Sequence, residues 1–331
     1  MRFAVIGAGS WGTTLADHLA KNGHEVRLWV REAELLAAIR STGENTWYMP
    51  GVKLNENVHA SQDASQVASG AEHFLFAVPS QFFRGVLQNI KPLLPKKPVI
   101  VCASKGIELG TLATMSMVVE ETLASIKPRF AMLSGPSFAF EVMREMPTAV
   151  ALGCGSKKLG KELQAELSSP TFRVYMNEDY RGVELGGAIK NVIAIAAGIS
   201  DGLGFGSNAR AALITRGLAE MTRLGLAMGA KPQTFMGLSG MGDLVLTCTG
   251  ELSRNRQVGL RLGKGQKLLD ILDSMKMVAE GVKTTEAVYQ LGQRHDVELP
   301  ITDMVYKVLN ENKDPSEAVR ELMTRALKEE A

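Results

Sequence analysis

The chain has 331 residues, 45% of them hydrophobic and 22% charged, which are globular values that exclude a disordered or collagen-like chain. Lys plus Arg number 37 against 35 Asp plus Glu, a formal net charge of +2, so the total charge points to neither nucleic acid nor a membrane surface. Glycine is in surplus at 33 residues, about one in ten where roughly 7% is usual.

Along the chain, Arg2–Ile6 reads as a strand that enters a glycine turn and then a helix to about Asn22. Glu25–Val30 is the next strand, followed by another helical pattern. Further apolar runs at His73–Val78, Pro98–Ala103, Phe130–Ser134, Thr148–Leu152 and Phe172–Met176 alternate with helical segments near Gln81–Leu94, Leu112–Ser125 and Leu159–Leu167. This rhythm predicts a mostly parallel sheet wound on both faces by helices. It stops near Asp179. Beyond it Val183–Ser200 reads as a buried helix, Ala209–Ala227 as another, and shorter helices continue to Leu327. The expectation is an α/β plus all-α chain: a Rossmann-like doubly wound domain over 1–179 and a helical substrate domain over 180–331.

Cys102, Cys154 and Cys248 are far apart, and the five histidines form no close ligand pair. Neither a disulfide framework nor a bound metal is expected. The chain begins directly in a strand, and its longest apolar stretch, Ile189–Ile199, contains Lys190 and Asn191. A cytoplasmic protein without membrane insertion is therefore expected.

Gly7-Ala8-Gly9-Ser10-Trp11-Gly12 is a G-x-G-x-x-G turn between a strand and a helix. That context lets Gly7 turn tightly, Gly9 admit a pyrophosphate and Gly12 pack helix on strand, with the helix N-terminus facing the phosphates. The second strand ends Trp29-Val30-Arg31-Glu32. Arg31 stands where an NAD site often has an acid and suits a 2′-phosphate, which favours NADP(H). Glu32, one residue on, keeps NAD(H) open, and a solvated Arg–Glu pair is the plain alternative.

Lys105 follows a predicted parallel strand, at the end where ligands bind or where a lysine is simply solvated. Lys190 lies on an apolar helix with Gly186, Gly187, Ile193 and Ala194 as neighbours. A charge there needs a ligand or a buried acid, and the glycines suggest an open notch for a ligand. Ser137, in Ser134-Gly135-Pro136-Ser137-Phe138-Ala139, either caps a helix or donates to a substrate. Gly240-Met241-Gly242-Asp243-Leu244 leads on to Ser253-Arg254-Asn255-Arg256, whose arginine, asparagine and serine together suit an anion, though a solvated polar loop is the commoner outcome.

Several segments occur together over essentially the whole chain. They are Gly7 to Gly12, Asn45-Thr46-Trp47-Tyr48-Met49-Pro50-Gly51, Ala77-Val78-Pro79-Ser80, Ser104 to Glu108, Gly135 to Ala139, Glu184 to Asn191, Gly242-Asp243-Leu244 with Thr247, Ser253 to Arg256, and Val278 to Gly281. In this order they resemble the bacterial NAD(P)-dependent glycerol-3-phosphate dehydrogenases. Met49 stands where that family usually has leucine.

The resemblance implies reversible reduction of dihydroxyacetone phosphate to sn-glycerol 3-phosphate, a precursor of glycerophospholipids. It makes Lys190 the catalytic lysine and places Lys105, Gly135, Ser137, Asp243, Ser253, Arg254 and Asn255 around the substrate. Ser10, Trp11, Arg31, Tyr48, Lys105, Ala139, Arg254, Val278 and Glu280 would touch the cofactor beside Gly7, Gly9 and Gly12. A homodimer is common in the family. The alternatives are another two-domain dehydrogenase, such as a 3-hydroxyacid dehydrogenase, and a non-catalytic dinucleotide sensor.

Overall fold

The structure, a computed structural model, describes residues 1–275, 279–327 and 329. Two compact units form: Met1–Lys105 with Ala113–Glu184, and Gly106–Leu112 with Leu185–Ala331.

The first unit carries β1 (Arg2–Ile6), α1 (Ser10–Lys21), β2 (Glu25–Trp29), α2 (Ala33–Thr42), β3 (Val58–Ser61), α3 (Ala64–Ala68), β4 (His73–Phe76) and α4 (Ser80–Ile90). It continues with β5 (Val99–Cys102), α5 (Met115–Leu123), β6 (Arg129–Ser134), α6 (Ala139–Met143), β7 (Thr148–Gly153), α7 (Lys157–Leu167) and β8 (Phe172–Asn177). The strands form one eight-stranded sheet in the order β3-β2-β1-β4-β5-β6-β7-β8. Every residue of β4 and β5 is buried, as expected for strands covered by helices on both faces. β1 pairs in parallel with β2 (Val5 opposite Leu28) and with β4 (Val5 opposite Leu75). The order therefore reverses at β1, and the glycine turn leaves the sheet at that switch point, where doubly wound sheets bind ligands.

Two features were not legible in the strand pattern. β3 is a short edge strand whose only buried residue is Ser61, so it lacks an apolar signature. β7 runs antiparallel to β6, with Leu133 opposite Leu152, while pairing in parallel with β8.

The helix α8 (Tyr180–Gly202) is long and apolar enough to cross a membrane by length and composition, and its most apolar stretch is buried in the fold. The division between units falls within it. Its first turn packs on the sheet: a Cβ at Gly153 would lie 2.6 Å from the Tyr180 Cα and 3.0 Å from the Val183 Cβ. Glu184 accepts the Ser116 N–H (2.8 Å) and hydroxyl (2.7 Å) at the start of α5. Burial pushes the Glu184 carboxyl upward in pKa, against these hydrogen bonds.

The second unit continues with α9 (Ser207–Ala227), α10 (Pro232–Phe235), a π-helical turn at Leu238–Gly242, α11 (Asp243–Thr249), α12 (Arg254–Gly263), α13 (Leu268–Asp273), α14 (Glu280–Arg294), α15 (Pro300–Asn310) and α16 (Pro315–Met323). Its core is built on Ile189, Val192, Ile193, Met221, Leu224, Phe235, Leu244 and Val258. The backbones of α8 and α12 touch. A Cβ at Gly198 would lie 2.1 Å from the Arg256 carbonyl oxygen, and one at Gly259 would lie 2.0 Å from that of Ile195. Larger residues would force apart the two helices that carry Lys190 and Arg254.

Glu220 on α9 caps α15. Its carboxylate accepts Ile301 N–H (2.6 Å), Thr302 N–H (3.2 Å) and the Thr302 hydroxyl (3.2 Å). Burial nevertheless raises its pKa from 4.5 to about 7. The folded state thus holds the proton more tightly than the unfolded chain. The stability this group contributes is full below pH 4.5 and is lost as pH rises through about 7. Against Glu220→Gln, which does not titrate, the wild type should lose on the order of 3 kcal/mol of relative stability across that window. Urea unfolding at a series of pH values measures this; parallel profiles for the two proteins would refute it.

Candidate active site

In the first unit the turn after β1 has the shape that a dinucleotide needs. Gly7 has φ +113°, and a Cβ there would lie 2.7 Å from the Ala77 carbonyl oxygen. A Cβ at Gly12 would sit 1.9 Å from the Gly7 carbonyl oxygen, whereas one at Gly9 would meet nothing within 4 Å. The turn is therefore closed toward the protein at Gly7 and Gly12 and open at Gly9. Ser10 begins α1, so the N–H groups of its first turn and its positive dipole end face the same turn. The Trp11 indole N–H is buried without a hydrogen-bond partner among the described residues. An open cradle with an unused donor beside it fits a dinucleotide.

Other expected cofactor residues of this unit gather around α1. Ser10 Oγ donates to the Tyr48 carbonyl (3.2 Å), and Thr14 Oγ1 donates to that of Ala139 (3.3 Å). Arg31 is exposed beyond the end of β2 and pairs with its neighbour, Nε to Glu32 Oε1 at 2.8 Å. The solvated Arg–Glu pair is thus formed, just past the C-terminal end of β2.

Lys105, Gly135 and Ser137 meet at one atom. Lys105 Nζ and Ser137 Oγ both donate to the Gly135 carbonyl, at 3.0 Å and 2.9 Å. Ser137 is not a helix cap: α6 begins at Ala139 with Phe138 before it, and the Ser137 hydroxyl turns back instead. Gly135 has φ +136°, and a Cβ there would press on the Val150 backbone at 3.0 Å. Only glycine fits this strand end, and Lys105 and Ser137 are gathered at its carbonyl.

In the second unit Lys190 is buried, with 6% of its surface exposed. Its Nζ lies 2.9 Å from Asp243 Oδ1 and donates to Thr247 Oγ1 at 2.7 Å. Thr247 in turn donates to the Asp243 carbonyl at 2.6 Å. Asp243 and Thr247 are four residues apart on α11, one turn above the other, and both are buried. Thr247 was not among the residues expected in the site; the i, i+4 spacing from Asp243 was the available signal. The notch expected beside Lys190 at Gly186 is not open. A Cβ there would lie 2.6 Å from the Ser239 carbonyl oxygen, because the π-helical turn packs its backbone into that space.

Ser253-Arg254-Asn255 is a helix start and not a solvated loop. Ser253 is the N-cap of α12 and accepts the Arg256 N–H at 3.2 Å. Asn255 is buried, and its Oδ1 accepts the Gly281 N–H at 3.0 Å. Arg254 is exposed in the first turn of the helix. Glu280 opens α14 beside Gly281. Val278 lies outside the described residues. Cys248, next to Thr247, is buried, and desolvation pushes its thiol up to about 12, so it stays protonated and unreactive. Among the described residues no group of three or more His, Cys, Asp or Glu is arranged to hold a metal ion.

Comparison with known proteins agrees over the full length. Residues 2–160 match the family model of the NAD-dependent glycerol-3-phosphate dehydrogenase N-terminus, and residues 179–320 match that of its C-terminus. The chain is 67% identical to a glycerol-3-phosphate dehydrogenase [NAD(P)+] of Solidesulfovibrio magneticus over 100% of both chains. It is 57% identical to that of Geobacter sulfurreducens, over 99% of this chain and 98% of the relative. The crystal structure of glycerol-3-phosphate dehydrogenase from Coxiella burnetii superposes with a TM-score of 0.94 at 44% identity, covering 98% of this chain and 99% of that one.

Proposed function

This chain belongs to the NAD-dependent glycerol-3-phosphate dehydrogenase family, and from that membership we propose that it reduces dihydroxyacetone phosphate reversibly to sn-glycerol 3-phosphate with NAD(P)H. The product would feed glycerophospholipid synthesis. The observation that carries the reading is the buried ammonium of Lys190, which lies in the apolar middle of α8 and is held by Asp243 and Thr247. Burying a charge in this way is costly and suits a group kept for proton transfer.

A reduced nicotinamide cofactor held at the Gly7–Gly12 turn would supply hydride to the ketone carbon. Negative charge then grows on the carbonyl oxygen, and Lys190 Nζ stabilises it and donates the proton that completes the alcohol. In the reverse direction neutral Lys190 takes the alcohol proton. Asp243 and Thr247 hold Nζ in one place, so no reorganisation is needed at the moment of transfer. Arg254 pairs with the substrate phosphate at the N-terminus of α12, where the helix dipole also favours an anion. The Asn255 carbonyl oxygen is engaged by Gly281, which leaves the amide nitrogen as the end that donates to a phosphate oxygen. The family resemblance also assigns Lys105, Gly135 and Ser137 to substrate binding, and Trp11, Tyr48, Ala139 and Glu280 to the cofactor.

We assign NADP(H) as the preferred cofactor because Arg31 is exposed where a 2′-phosphate would lie, with Glu32 beside it to accept a ribose hydroxyl of NAD(H). The test is consumption of NADPH and of NADH in parallel with dihydroxyacetone phosphate. Loss of neither absorbance would overturn the function. In Arg31→Ala the KM for NADPH should rise by on the order of tenfold, with that for NADH nearly unchanged. An unaltered ratio would remove Arg31 as the reader of the 2′ position.

A further inference from the structure

The loop between α2 and β3 is tied to the glycine turn through one fully buried side chain. Asn45 has no exposed surface. Its Nδ2 donates to the Ala8 carbonyl at 2.8 Å and to Thr13 Oγ1 at 2.7 Å, and its Oδ1 accepts the Tyr48 N–H at 3.0 Å. Thr13 Oγ1 donates to the same Ala8 carbonyl at 3.2 Å. The Asn45 amide therefore uses both hydrogens of its nitrogen and one lone pair of its oxygen, and the Ala8 oxygen accepts two donors.

The consequence follows from peptide geometry. In a planar trans peptide the carbonyl of Ala8 and the N–H of Gly9 point in opposite directions. Anchoring the Ala8 oxygen inward, on Asn45 and Thr13, turns the Gly9 N–H outward. A Cβ at Gly9 would meet nothing within 4 Å among the described residues, so the backbone there is open to a ligand. At the other end Asn45 holds the Tyr48 N–H, while Ser10 Oγ holds the Tyr48 carbonyl at 3.2 Å. The Asn45 carbonyl itself accepts the N–H of buried Met49 at 2.8 Å. The phosphate-facing peptide and the Tyr48 peptide are thus set by the same residue.

We propose that Asn45 is a positioning residue of the nucleotide site, which orients the Ala8–Gly9 peptide and the Tyr48 loop together to receive the dinucleotide. The inference rests on the reading that the Gly7–Gly12 turn binds NAD(P)H. Asn45 touches neither substrate nor reacting atoms in this role, so its loss acts on nucleotide affinity and spares the chemical step.

Titration calorimetry with NADPH, and steady-state kinetics varying each substrate in turn, test it. Asn45→Ala should weaken NADPH binding and raise its KM by on the order of tenfold. At saturating NADPH, kcat and the KM for dihydroxyacetone phosphate should stay within about twofold. Asn45→Asp keeps the acceptor for Tyr48 but sets an oxygen against the Ala8 carbonyl, so it should bind NADPH no better than the alanine variant. Thr13→Val, which removes one anchor from a variant that retains Asn45, should give a smaller rise in the same constant, and it carries the test if Asn45→Ala does not fold. A wild-type protein that binds no NADPH would overturn the underlying reading. With the wild type binding, unchanged NADPH affinity in the variants, or an equal loss in the constants for both substrates, would overturn the inference alone.

Discussion

Lys190→Met should lower kcat by at least about 10²–10³-fold while NADPH binding persists, because the variant loses the donor that meets the developing alkoxide. Packing supplies a complication that can be used. Removing the ammonium leaves the Asp243 carboxylate buried at 1% exposure without the partner it holds at 2.9 Å. Breaking a buried pair from one side typically costs about 3–5 kcal/mol. The single variant should therefore be both inactive and unstable. Changing Asp243 to Asn in the same chain removes that buried carboxylate charge, so the double variant should recover much of the stability and none of the turnover. Thermal unfolding and single-turnover kinetics on the two proteins separate these effects. Near-normal turnover in either variant would end the assignment of Lys190 as proton donor.

The second large effect concerns two glycines of the same turn that fail for different reasons. Gly12→Ala places a Cβ 1.9 Å from the Gly7 carbonyl oxygen, a backbone atom that cannot move without separating β1 from α1. A loss of more than about 3 kcal/mol in stability is expected, with nucleotide binding lost as well. Gly9→Ala meets no protein atom within 4 Å, so its melting temperature should stay close to that of the wild type. Its NADPH affinity should nevertheless fall steeply, because the added methyl stands where the pyrophosphate approaches the backbone. Calorimetry and thermal melts distinguish the pair. If Gly9→Ala bound NADPH as tightly as the wild type, the pyrophosphate would have to lie elsewhere.

The strands and long helices were largely legible from periodicity. β1 spans the expected Arg2–Ile6, and the helix expected over Val183–Ser200 is the buried interior of α8. The glycine turn was legible because strand, turn and helix are contiguous, so local sequence contains the whole device. Elements without an apolar pattern were not: β3 sits at a sheet edge, and β7 reverses direction without any change in its own strand chemistry.

The glycine surplus shows the same boundary. Seven glycines fall between Gly182 and Gly206, and the sequence suggested that Gly186 and Gly187 leave an open notch for a ligand. Gly186 instead admits the Ser239 backbone, and Gly198 and Gly202 admit the backbone of α12. These glycines bring helices together, and only indirectly shape the site.

Composition, the βα rhythm and the turn at Gly7–Gly12 were enough to specify a dinucleotide fold joined to a helical half, because each is written within one or two adjacent elements. The partners of Lys190 were not specified in that way. An apolar helix around a lysine demands some acid, but burial is a property of packing, and the acid and hydroxyl that answer it, Asp243 and Thr247, lie more than fifty residues on. The same holds for Asn45, whose two ends reach Ala8 and Tyr48. Hydrogen bonds between distant segments depend on side-chain direction and distance, and only the folded chain sets these.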